Sequence, residues 1–63
     1  MGKYTDHLNY LREQRSSKER HYQSLMANYG SVMGEMYRQL NEQHHAMRMR
    51  MYDNEIREAE RKV

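Results

Sequence analysis

The chain has 63 residues, which allows one small domain, and a formal charge of +2 from 11 basic and 9 acidic residues, which excludes a strongly polyanionic or polycationic protein. Cysteine and proline are absent, so disulfides, thiolate nucleophiles and Cys-ligated metals are excluded and no residue forces a helix to break. Leu, Ile and Val supply 7 residues and Phe none, whereas Met supplies seven and Tyr six. Met fills irregular surfaces and Tyr joins apolar area to a polar tip, so this balance predicts a core completed by something outside the chain.

The spacing predicts a first helix over about residues 6–29. Thr5 is placed to cap it, and Asp6 sits in its first turn. Leu8 and Leu11 begin an apolar stripe that resumes at Tyr22, Leu25 and Tyr29 after the polar stretch Arg12–His21. Ser16 and Glu19 have capping-box spacing, so a restart of the helix near residue 17 is also compatible with the pattern.

Asn28-Tyr29-Gly30-Ser31 predicts a turn at about residues 29–31, with Gly30 left-handed and Ser31 capping the next helix. A second helix is expected over about residues 32–62. Its stripe is read as Val32, Met33, Met36, Tyr37, Leu40, His44, Met47, Met51 and Tyr52, continuing through Ile56, Ala59 and Val63. Asp53-Asn54 is a second place where the helix can end. Glu58 and Lys62 support the tail by their i,i+4 spacing.

The expected fold class is therefore all-α, a two-helix antiparallel hairpin with a turn near Gly30, completed by oligomerisation or by a partner. The alternative is one continuous helix or coiled coil about 85 Å long. The hairpin is preferred because it sets Leu8 against Met51 and Tyr52, Leu11 against Met47, Tyr22 against Tyr37, and Arg15 and Lys18 near Glu42. A parallel rod would stack Arg15 on Arg15 and Lys18 on Lys18.

Catalysis has no support: no nucleophile elbow and no phosphate loop occur, and two helices offer no enclosed pocket. No cofactor or metal is expected. His44, Met47 and Met51 share a face suited to Cu(I), but Arg48 and Arg50 interleave with them and would repel a cation. Protonation of His44 on the apolar stripe would weaken an interface. No apolar run reaches membrane-span length and no apolar leader segment is present. The expected setting is thus the cytoplasm or a particle assembled there.

These readings converge on a non-enzymatic structural or adaptor subunit, docking on a larger assembly such as a viral particle. The expected protein interface, with itself or with another protein, is Leu8, Leu11, Tyr22, Leu25, Tyr29, Met33, Met36, Tyr37, Leu40, Met47, Met51 and Tyr52. The second expectation is a nucleic-acid or acidic-partner contact through Arg12, Arg15, Lys18 and Arg20, diluted by Glu13 and Glu19.

Overall fold

The computed structural model describes residues 2–63. Helix α1 spans Lys3–Tyr29 and helix α2 spans Glu35–Glu60. They pack side by side as a hairpin of 46 × 17 × 9 Å between Cα extremes. The described residues include no strand, as the low Val, Ile and Thr content implies.

Helix α1 begins before Thr5. Gly2 is its cap residue, in an extended conformation and without a side-chain cap bond. The Gly2 carbonyl accepts the Thr5 and Asp6 amides at 3.1 and 3.2 Å. The helix runs unbroken through the polar stretch to Tyr29, so no restart occurs near residue 17. A solvated polar stretch of good helix formers needs no apolar anchor of its own. Here it is also tied sideways to α2 by Arg12, Arg15 and Glu19.

The turn occupies residues 30–34 and is longer than its sequence pattern suggests. Gly30 has φ −57° and ψ −39°, a right-handed conformation, and no described glycine has a positive φ. What Gly30 supplies is closeness: a Cβ there would run into the Met26 carbonyl oxygen. Its amide bonds that same oxygen at 2.9 Å, and Tyr29 O accepts the amides of Val32 and Met33 at 3.1 and 3.0 Å. Ser31 caps nothing; α2 starts behind Gly34. Arg38 Nη2 donates to Gly30 O at 2.6 Å, so a side chain of α2 satisfies a carbonyl at the end of α1. Helix α2 continues past Asp53 and Asn54, because Asp53 is held by Arg15 and no breaker follows. Near its end Glu58 pairs with Arg61 at 3.3 Å, while Lys62 lies over the Tyr4 ring at 5.9 Å.

The core sits at the open end of the hairpin. Leu8 and Leu11 are buried against Ala59, with Tyr52 and Ile56 packed beside them. Because the turn is long and starts late, the helices meet in a different register from the one the stripes suggest. Leu8 and Leu11 meet Ala59, Ile56 and Tyr52 rather than Met51 and Met47, Arg15 meets Asp53, and Tyr22 meets His45 rather than Tyr37.

Among the described residues three buried apolar side chains make a thin core, so each carries much of the stability. Leu11→Ala is expected to cost about 2–4 kcal/mol. A chain of this length has only about 3–9 kcal/mol in all, so a thermal melt followed by circular dichroism should show most of the transition lost near room temperature. Gly30→Ala should lower the melting temperature although its backbone angles suit alanine, whereas Gly34→Ala, which meets open space, should leave it within a few degrees.

Candidate interaction surfaces

The middle of the seam between the helices is polar. The His45 side chain is 13% exposed and its Nε2 lies 2.7 Å from Glu19 Oε2. Its ring stacks on Tyr22, with centroids 3.8 Å apart and planes 6° from parallel. The other Glu19 oxygen accepts Gln23 Nε2 at 3.1 Å. The Gln23 bond first, and then the His45 bond, hold the Glu19 carboxyl below its ordinary range, opposed by partial burial. A carboxylate only accepts, so His45 donates from Nε2. The other ring nitrogen, Nδ1, is buried without a partner among the described residues.

This seam decides which way the rest of α2 faces. With His45 inward, Asn41, Met49, Tyr52, Ile56 and Ala59 follow it at three- and four-residue spacing, and all are buried or half-buried. The apolar stripe read from composition lies on the other side. Met36 is 86% exposed, Met47 65%, Met51 52% and Leu40 47%. His44 points outward with them and is exposed. Of the expected interface residues, Leu8 and Leu11 are consumed by the seam, and Tyr22, Leu25, Met33 and Tyr52 are half-buried. Tyr29 and Tyr37 are exposed, like the Met-Leu ladder. A shallow hollow lined by Met47, Arg50, Met51, Asn54 and Glu55 lies along the ladder.

His45 is the residue that sequence reasoning missed, because its neighbour His44 continues the more apolar stripe. The signal was present in the inward ladder itself, whose spacing is as regular as that of the outward one.

The basic segment is partly neutralised within the chain. Arg12 pairs with Glu60 at 3.0 Å and Arg15 with Asp53 at 2.7 Å. Lys18 and Arg20 are exposed and join no ion pair among the described residues. Pairs this exposed contribute roughly 0–1 kcal/mol each, but they halve the charge the segment offers to phosphates. Among the described residues, no three His, Cys, Asp or Glu side chains converge as metal ligands, and no helix is long and apolar enough to cross a membrane. No protein family, characterised protein or solved structure matches the chain, so its function must be argued from these surfaces.

The Glu19 bonds predict a pH dependence with a definite sign. A carboxyl whose folded pKa is lowered contributes stability that is complete above its unfolded value, about 4.3, and is lost as pH falls through the folded value. Urea midpoints measured from pH 7 to pH 3 should therefore drop more steeply for the unmodified chain than for Glu19→Gln, and the two curves should draw together as the pH falls below the unfolded carboxyl value.

Proposed function

We propose that this chain is a non-enzymatic interaction module, a structural or adaptor subunit that docks on a larger protein assembly by the outward side of α2. A particle such as a virion is one setting of that kind. The observation that carries the reading is the Met36–Leu40–Met47–Met51 ladder, exposed along one side of a helix. Single exposed apolar residues are ordinary on protein surfaces, but an aligned set on one helix side marks a place where another surface fits. Thioether side chains are flexible enough to match an irregular partner. The thin core supports the same reading, since a small hairpin gains stability from whatever covers its open side.

Nucleic-acid contact through Arg12, Arg15, Lys18 and Arg20 is the weaker reading, because Glu60 and Asp53 already occupy two of the four. Any such binding should be slight and should fall away between about 50 and 200 mM salt.

The docking reading is tested by placing a photo-crosslinking residue at position 40 or 47, and at Arg20 as a control, in cells that make the protein. Protein adducts of one defined size are expected from positions 40 and 47. They should be absent at Arg20, and should vanish from position 40 when Met47→Glu is added. Equal adducts at all three positions would refute a dedicated surface.

A further inference from the structure

We infer that the outward side of α2 closes on a second copy of this chain, antiparallel, about a two-fold axis beside Gln43 and His44. The inference rests on the docking reading above and names the occupant of that surface. The ladder is symmetric about its own centre: Met36 and Leu40 precede that point by the same steps as Met51 and Met47 follow it. Turning a second α2 end over end sets Met36 on the partner's Met51 and Leu40 on the partner's Met47, and the symmetry repeats both pairings. An unrelated partner would impose no such palindrome.

Charge follows the same symmetry. Glu35 stands beside Met36, and Arg50 stands beside Met51. Neither makes an ion pair among the described residues. The end-over-end arrangement brings Glu35 to the rim next to the partner's Arg50, an opposite-charge contact formed twice. It also opposes the two helix macrodipoles, which a parallel pair would align. The four ladder residues leave on the order of 500 Å² open per copy, so a symmetric pair covers at most about 1,000 Å² through them, the lower limit for a specific interface. The product is a four-helix arrangement with α2 and its copy at the centre and the two α1 helices outside.

The chain has no cysteine, so single thiols can be introduced without background. Met36→Cys and Met51→Cys proteins, mixed in equal amounts under mild oxidation, should give a mixed disulfide dimer. Either protein alone should give less than about a tenth of that yield, because like positions lie about 22 Å apart in the antiparallel pair, far beyond disulfide reach. Sedimentation equilibrium of the unmodified chain should give two copies. Leu40→Glu with Met47→Glu should weaken that association at least about 100-fold, with the helical circular dichroism kept. Efficient self-crosslinking of each single variant would show a parallel pair and overturn the inference. A monomer at every concentration would overturn it too, while leaving another protein as the occupant of the surface. A dimer indifferent to the double substitution would remove the ladder from this inference and from the docking reading together.

Discussion

The stack of His45 on Tyr22, with Glu19 holding Nε2, governs how α2 is rotated about its own axis. A helix places residues three, four and seven apart on one side. Once His45 faces α1, Tyr52, Ile56 and Ala59 must face it too, and they complete the core with Leu8 and Leu11. The same rotation turns Met36, Leu40, Met47 and Met51 outward. A polar contact in the middle of the seam thus sets both the core at one end and the open apolar ladder on the far side. The apolar seam alone would tolerate more than one rotation of α2, since both of its sides carry Met. The imidazole meets the carboxylate and the phenol ring only when His45 is turned toward α1.

Along the seam the interactions change character. Leu8, Leu11 and Ala59 supply burial at the open end. Arg12–Glu60, Arg15–Asp53 and Glu19–His45 supply direction through the middle. Arg38 clamps the Gly30 carbonyl at the turn. Burial is the larger source of stability, and the exposed ion pairs add little energy. What the polar contacts add is register. A slide of α2 by one turn would separate each charge from its partner, and would leave the half-buried Glu19 and His45 without the bond that offsets their desolvation.

Much of this was legible in the residues. The two helices, the turn after Tyr29 and the burial of Leu8 and Leu11 follow from the lack of proline, from Gly30 and from apolar spacing. The phase of α2 did not follow, for a physical reason. Two ladders of equal regularity run along it, and the more apolar one loses the seam to the one that carries His45. Local apolarity cannot register a histidine chosen for a carboxylate 26 positions away in the chain. Nor did the conformation of Gly30 follow. It is there to approach the Met26 carbonyl, not to adopt a left-handed angle.

The outward ladder is built mostly from thioethers, and that has a chemical consequence. Met36, Met47 and Met51 present their sulfurs on the exposed side of α2, whereas Met26 and Met49 are half-covered. Oxidation to the sulfoxide converts a soft apolar side chain into a polar one and can be reversed enzymatically. Peroxide would therefore reach the outer face before the seam. It would strip that face of its apolar character while His45, Tyr22 and the leucines still held the hairpin closed, so the chain's adhesiveness and its fold lie on chemically separable sides of one helix.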